Sequence, residues 1–243
     1  MNHTPWKHAV AAAALGLAAA VSQAQIVNGG FEAGLTGWTV VDQVGSEGTF
    51  LLQTGTTTPL SGVTVPPPPE GAAAAMSDSL GGPGSHLLYQ DFVVPTGVNT
   101  ATLSFQLLVR SDAEFVNASH LDFATPDLNQ QIRVDLLSPT GDPFDMTVLQ
   151  TLFQTQPGDP LVSGYTLHQF DVAGLLQAHA GQTLRLRFAE VDNVFFLNAG
   201  VDAVSLSINA APIPEPSTVW MLLVGLGAVG VLRMSSRRKP GST

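Results

Sequence analysis

Cysteine and lysine are the residues that this sequence lacks most clearly. The 243-residue chain has no cysteine, which excludes disulfide cross-links and thiol chemistry. Residues 25–216 contain no lysine and only four arginines against nineteen acidic residues, so this part carries a net charge of −15. A surface of this charge repels nucleic acid and anionic headgroups, and we predict no nucleic-acid partner.

Motifs typical of hydrolases are also absent from the sequence. The histidines form no His-x-His or His-Glu-x-x-His pattern, and there is no Gly-x-Ser-x-Gly. One acid pair, Glu190 and Asp192, has a spacing that places two side chains about 6.5–7 Å apart on one strand face, near the separation used by glycosidases. Because the pair precedes Asn193 at an expected strand-to-loop transition, the sequence favours an exposed turn. We therefore predict that the protein is not an enzyme.

Long apolar runs occur only near the two ends of the chain. At the first end, residues 1–8 contain Lys7, residues 9–21 are apolar, and Ser22-Gln23-Ala24 follows. This order is typical of a secretory signal peptide, predicted here as residues 1–24. The thirteen-residue run is too short to span a bilayer of roughly 30 Å.

The second apolar run, residues 218–232, follows a proline-rich spacer at residues 210–217. Fifteen helical residues rise about 22 Å, and basic residues that reach towards the headgroups offset part of the shortfall. We predict a membrane anchor helix at residues 218–232 and a basic cytoplasmic tail at residues 233–243, because positive flanks stay inside.

The part between the two ends, residues 25–209, is predicted to be an all-β ectodomain. Alternating or apolar runs at residues 102–109, 131–137, 183–188 and 201–208 are typical of an antiparallel β-sandwich with one solvated face per sheet. This alternation predicts a solvent-facing position for Arg185 and Arg187. One short helix is predicted at residues 172–179, with Asp171 as its N-cap, and residues 54–71 are predicted to be a loop.

The tail resembles the PEP-CTERM sorting signal. The resemblance rests on Pro214-Glu215-Pro216, the apolar run, and the basic cluster of Arg233, Arg237 and Arg238. It implies export by the secretion machinery of a Gram-negative bacterium, insertion in the inner membrane, and cleavage near the Pro-Glu-Pro by an exosortase. A plain, permanent membrane anchor is the alternative.

The ectodomain is similar to jelly rolls of the galactose-binding and carbohydrate-binding-module kind. Residues 27–32 with Gly37-Trp38 resemble the first strand of that fold, residues 73–77 and 88–92 its middle strands, and residues 200–206 its last strand. In these jelly rolls the first and last strands lie side by side, often with a structural calcium ion between them.

Carried over by motif position, the resemblance implies that Glu32 and Asp202 are carboxylate ligands of a structural Ca²⁺ and that Asn28 contributes an oxygen. Oxygen ligands from separate segments are what Ca²⁺ requires. The alternative is that Asn28 and Glu32 cap a turn and that Asp202 closes a hairpin.

These features predict a cell-surface or extracellular-matrix protein, of the kind found in biofilms, with a non-catalytic structural or adhesive role associated with extracellular polysaccharide. A glycan-binding module and a carbohydrate-active enzyme are the alternatives. Trp38 and Tyr89 are expected in the core, whereas Tyr165 is the aromatic residue expected to be exposed for sugar stacking.

Overall fold

The computed structural model describes residues 26–210. The predicted signal peptide, anchor helix and sorting signal lie outside the described residues. Within residues 26–210, no helix has the length and apolar character needed to cross a membrane.

Ten strands form two five-stranded antiparallel sheets that pack face to face, so the predicted antiparallel β-sandwich is confirmed. Sheet I has the order β1-β4-β9-β6-β7 and sheet II the order β2-β3-β10-β5-β8. The strands are β1 (Thr39–Asp42), β2 (Thr49–Thr54), β3 (Ala73–Asp78), β4 (Gly84–Val93), β5 (Val98–Ser111), β6 (Gln130–Leu137), β7 (Gln150–Gln154), β8 (Val162–Asp171), β9 (Thr183–Asp192) and β10 (Leu197–Ala210).

Alternation along the strands produces the core between the sheets. Leu184, Leu186 and Phe188 of β9 all face sheet II and are buried, as period-2 geometry requires. The ring of Phe188 packs edge-on against that of Phe105 in β5, with 5.3 Å between their centroids, and lies 6.0 Å from the ring of Trp38. Trp38 is therefore a core residue, as predicted.

The segment that resembles a first strand is not a strand in the structure. Residues 27–37 form successive turns, and Asn28 and Phe31 have positive φ angles of 53° and 55°. The segment nevertheless lies beside the last strand, because the backbone N–H of Val204 donates to the carbonyl of Gly29. A side chain at Gly29 would place its Cβ 1.9 Å from the Val204 carbonyl oxygen, so this close approach requires glycine.

The outer face of sheet I is not fully solvated, which corrects the prediction for two arginines. Arg187 is fully buried, because residues 143–146 fold back over this face, and Arg185 is 8% exposed. Arg187 donates to the buried carboxylate of Asp135, which also accepts two bonds from Arg133. Arg185 forms a bidentate pair with Asp91 and lies over the ring of Tyr89. Alternation identified the face but not the segment that covers it.

The short helix α1 (Ala173–Ala178) lies within the predicted range. Its N-cap is Val172 rather than the predicted Asp171. The Asp171 carboxylate still accepts the N–H of Ala173, so it satisfies one of the free donors of the first turn.

The sandwich has two distinct ends. At the helix end, α1 packs beside β5, and Ala210 pairs with Val98, so the chain leaves the sandwich there. At the opposite end, Gly84 and Gln130 both pair with Asp192, the last residue of β9. We call this the loop end, and it consists of residues 43–48, 79–83, 112–129 and 193–196.

The ion network on the outer face of sheet I predicts a large effect of mutation. Asp135→Ala would leave two buried arginines without a carboxylate, so we expect it to lower the free energy of unfolding by about 3–5 kcal/mol. Urea unfolding measures this change. Asp112→Ala is the matched control, because it removes the carboxylate of a more exposed ion pair, that with Arg110. It should lower the free energy of unfolding by no more than about 1 kcal/mol. Equal losses in both variants would contradict the structural role of the network.

Candidate functional site

The strongest concentration of chemically unusual side chains lies at the loop end, between the sheets. Each of His86, Glu190 and Asp192 places one ligand atom within 4.8 Å of those of the other two, and all three residues are buried. The expectation of an exposed turn at Glu190 and Asp192 is therefore wrong. Both belong to β9 and continue the inward-facing row that begins at Leu184.

Strand pairing brings the three side chains together. His86 of β4 pairs with Glu190, and Gly84, two residues earlier, pairs with Asp192. Side chains at positions i and i+2 lie on the same face of a strand. The inward-facing positions of β4 therefore lie directly beside the inward-facing positions of β9. Gly84 also provides space, because a Cβ there would lie 2.2 Å from Nε2 of His86.

The hydrogen bonds of this cluster are incomplete. The Nδ1 atom of His86 lies 2.7 Å from a carboxylate oxygen of Asp42, and its Nε2 atom lies 3.1 Å from the carbonyl oxygen of Glu47. Asp192 accepts the N–H of Gly84 at 2.7 Å. Glu190 differs from these residues, since its Oε1 atom is buried without a hydrogen-bond partner. An unsatisfied buried carboxylate oxygen is costly and calls for a ligand or a proton.

The electrostatics of the cluster oppose two free carboxylates. Burial, followed by the charges of Asp192 and Asp42, raises the pKa of Glu190 well above its usual value. Burial raises the pKa of Asp192 to about 8, and the nearby Glu47 adds to the effect. Both shifts express the same condition, namely negative charge in a buried site where no arginine of residues 26–210 forms an ion pair with these carboxylates.

A groove of about 490 Å³ lies on the outer side of sheet I, close to the loop end. Its wall combines amide, imidazole and carboxylate groups with apolar side chains, from Gln43, His120, Asp122, Asp142, Phe144 and Met146. Hydrogen bonds, first that from Gln43, lower the pKa of Asp122. Asp145 also lines the groove, and its pKa is lowered by hydrogen bonds from Thr147. These carboxylates are suited to accept hydrogen bonds rather than to donate protons.

The residues expected to bind calcium lie at two sides of one segment, residues 70–73. Glu32 accepts the N–H groups of Ala72 and Ala73, and Asp202 accepts the N–H of Glu70 at 3.0 Å. Burial raises the pKa of Asp202 to about 6, and the charges of Glu70 and Glu32 contribute to this increase. The structure thus brings Glu32 and Asp202 into one acidic region and adds Glu70, which sequence reasoning missed inside the long loop.

Asn28, the third expected ligand, is engaged locally. Its side-chain amide donates to the carbonyls of Gly34 and Thr36, and its side-chain oxygen accepts the N–H of Ala33. Its backbone carbonyl accepts the indole N–H of Trp38. These bonds hold the turn between residues 28 and 38.

The aromatic side chain expected for sugar stacking is not an open platform. Tyr165 is half-buried on the outer face of sheet II, where its hydroxyl donates to Gln53 at 2.5 Å. Among residues 26–210, the exposed aromatic side chain is that of Phe195, which is 63% exposed at the loop end. Tyr89, expected in the core, packs instead against the smaller apolar cluster on the outer face of sheet I.

The acidic region around Asp202 predicts a pH dependence of stability in the metal-free protein. Because the pKa of Asp202 is about 6 when folded and near 3.8 when unfolded, the fold favours the protonated form. Its contribution is greatest below about pH 4 and is lost as the pH rises through about 6.

Urea unfolding in EDTA between pH 4 and 7 tests this prediction. Asp202→Asn should flatten the fall in stability between pH 4 and 6, whereas Asp171→Asn at the helix end should leave the slope unchanged. An identical slope in the wild type and in Asp202→Asn would contradict the buried, uncompensated state of Asp202.

Comparisons with solved structures return β-sandwich proteins of low sequence identity. The carbohydrate-binding module TmCBM61, solved with β-1,4-galactotriose, is 12% identical over 77% of this chain and 100% of its own, with a TM-score of 0.45. The K3 adhesin domain of Lys-gingipain from Porphyromonas gingivalis is 15% identical over 75% and 96%, with a TM-score of 0.46. A Stig cyclase from Fischerella sp. TAU is 20% identical over 78% and 99%, with a TM-score of 0.44. At these scores the likeness identifies no ligand and no activity for this chain.

Sequence comparison is informative at the tail. No curated protein matches the chain. Residues 212–239 match the model of the PEP-CTERM protein-sorting motif, as the Pro-Glu-Pro, the apolar run and the arginine cluster predicted. The chain is therefore an exported protein that carries a PEP-CTERM protein-sorting motif.

Proposed function

We propose that the protein is a non-catalytic surface or matrix component that contacts extracellular polysaccharide through the groove at the loop end. The observation that carries this proposal is the position of the groove. Ala210, the last described residue before the sorting motif, pairs with Val98 at the helix end, whereas Gln43, His120 and Asp122 of the groove wall lie towards the opposite end. The groove thus opens towards the end of the sandwich opposite Ala210.

The chemistry of the groove suits a polysaccharide. Sugar hydroxyls need both donors and acceptors, which His120, Gln43 and Asp142 supply, and sugar rings pack on apolar surface such as the ring of Phe144. Phe195, exposed at the same end, offers further apolar area. The net negative charge of the domain favours a neutral or cation-bridged glycan over a strongly anionic one.

A carbohydrate-active enzyme is the weaker alternative. Glycosidases need one carboxyl group of raised pKa as an acid and a second carboxylate beside it. Glu190 and Asp192 are buried on the inner face of sheet I and do not line the groove. Asp122 and Asp145 do line it, but their pKa values are lowered, which suits neither for the acid role.

The tail supplies the proposed route to the surface. An exosortase would cut near Pro214-Glu215-Pro216 after the secretion machinery has exported the chain, so that the sandwich is released or relinked. A permanent anchor is the alternative. The apparent mass of the surface-exposed protein distinguishes the two, because cleavage removes residues 217–243 or a similar segment.

Binding of the full chain to a glycan array tests the groove. Phe144→Leu keeps apolar bulk but removes the flat ring, and Asp142→Asn removes one charge, so each should weaken glycan binding by about tenfold, equivalent to about 1.4 kcal/mol. Asp171→Asn, at the helix end, is the control and should bind as the wild type does. The proposal fails if no glycan binds, or if both groove variants bind with unchanged affinity.

We also propose a structural calcium ion in the acidic region around Asp202. The carboxylates of Glu32, Glu70 and Asp202 come from separate segments, and those of Glu32 and Asp202 accept N–H groups of residues 70–73. No arginine among residues 26–210 forms an ion pair with any of the three. Asn28 would contribute through the turn that it holds rather than through a free side chain. A hard divalent cation would offset the charge that raises the pKa of Asp202.

Removal of calcium tests this second proposal. EDTA should lower the melting temperature of the wild type by several degrees, and added Ca²⁺ should restore it, because a ligand that binds only the folded state stabilises it. Asp202→Ala should abolish both effects. A melting curve that EDTA and Ca²⁺ leave unchanged would show that the carboxylates serve only as acceptors for backbone N–H groups.

A further inference from the structure

We propose that His86, Glu190 and Asp192 form a binding site for one divalent transition-metal ion of the Zn²⁺ class, buried at the loop end of the sandwich. This site is separate from the proposed calcium region, which lies on the outer face of sheet II. It would join strands β4 and β9 and the segment after β1.

The three residues lie close to the spacing that a metal ion requires. One ligand atom from each residue lies within 4.8 Å of the others. Two ligands of a tetrahedral Zn²⁺ with bonds of about 2.0–2.2 Å are separated by about 3.3–3.6 Å, so a contraction of at most about 1.5 Å brings the set onto an ion. Side chains can make such an adjustment without a change of strand register.

The orientation of the His86 imidazole also favours a metal ion. Nδ1 of His86 faces the Asp42 carboxylate at 2.7 Å, which fixes the ring and leaves Nε2 as the ligand atom. A histidine bound to a metal usually donates its other N–H to a carboxylate in this way. Nε2 also lies 3.1 Å from the Glu47 carbonyl oxygen, close to the separation between two tetrahedral ligands, so this oxygen is positioned as a fourth ligand.

A carboxylate oxygen of Glu190 that lacks a hydrogen-bond partner also favours a bound cation. Oε1 of Glu190 is buried and lacks a hydrogen-bond partner, although the residue is only 1% exposed. No arginine among residues 26–210 forms an ion pair with Glu190 or Asp192. A bound cation would satisfy this oxygen and balance both carboxylates.

The donor set selects the class of metal. Ca²⁺ and Mg²⁺ prefer ligand sets made of oxygen alone, whereas imidazole favours Zn²⁺ and its neighbours in the first transition row. The cluster supplies one nitrogen and two carboxylates. All three residues are buried and the Glu47 carbonyl lies against His86, so the role of the site would be to hold the loop end together rather than to bind a substrate.

Zinc binding by the full chain, purified in detergent and stripped with a chelator, tests the proposal. After equilibrium dialysis against Zn²⁺, elemental analysis should show one tightly held ion per wild-type chain, and Co²⁺ should give visible d–d absorption from a site of low coordination number. Glu190→Gln and His86→Gln should weaken Zn²⁺ binding by at least about 100-fold and abolish the cobalt band.

Two controls separate this site from others. His120→Gln removes a half-buried histidine next to Asp127, and Asp202→Asn disrupts the calcium region, so both should keep the ion and the cobalt band. Glu190→Gln is nearly isosteric and removes a buried charge, so in EDTA it should melt no lower than the wild type. Zn²⁺ should raise the melting temperature of the wild type but not that of Glu190→Gln.

Three results would overturn the proposal. The first is the absence of stoichiometric Zn²⁺ binding by the wild type. The second is binding that survives in Glu190→Gln but is lost in His120→Gln, which would place the ion on the surface. The third is a melting temperature that rises in Glu190→Gln while Zn²⁺ leaves the wild type unchanged, which would mean that the carboxyl groups hold only protons.

Discussion

Buried carboxylates in a domain with almost no cations are the constraint on which the rest of this structure depends. Taking an ion out of water costs several kcal/mol unless a partner or several hydrogen bonds compensate for it. Asp135 is compensated by Arg133 and Arg187. Asp78 is compensated by hydrogen bonds that outweigh its burial and lower its pKa. Residues 25–216 contain only four arginines and no lysine, so few basic side chains are left to compensate the other buried carboxylates.

The two remaining acidic regions have the same deficit but different surroundings. Around Asp202 the available side-chain ligand atoms are carboxylate oxygens, which suits a hard cation. Around Glu190 an imidazole held by Asp42 lies among the carboxylates, which suits a softer one. An exported, cysteine-free domain cannot use disulfides to stabilise its fold, and bound metal ions can take that role.

The sequence was informative where side-chain periodicity determines structure and uninformative where distant segments do. Alternation in β9 placed Leu184, Leu186 and Phe188 in the core, and the same alternation continued by two positions leads to Glu190 and Asp192. The turn signal at Asn193 obscured this continuation. Alternation predicts a solvent-facing position for Arg187, because nothing in its own strand shows that residues 143–146 cover it. His86 and Glu70 carry no local signal, since only strand register and loop folding bring them to their sites.

The proposed cations that balance the buried acids would make the exported sandwich a metal-bound protein. Native mass spectrometry of the protein recovered from the cell surface should then show a chain that carries one calcium and one transition-metal ion. A stable, folded chain with the mass of the polypeptide alone would contradict this proposal.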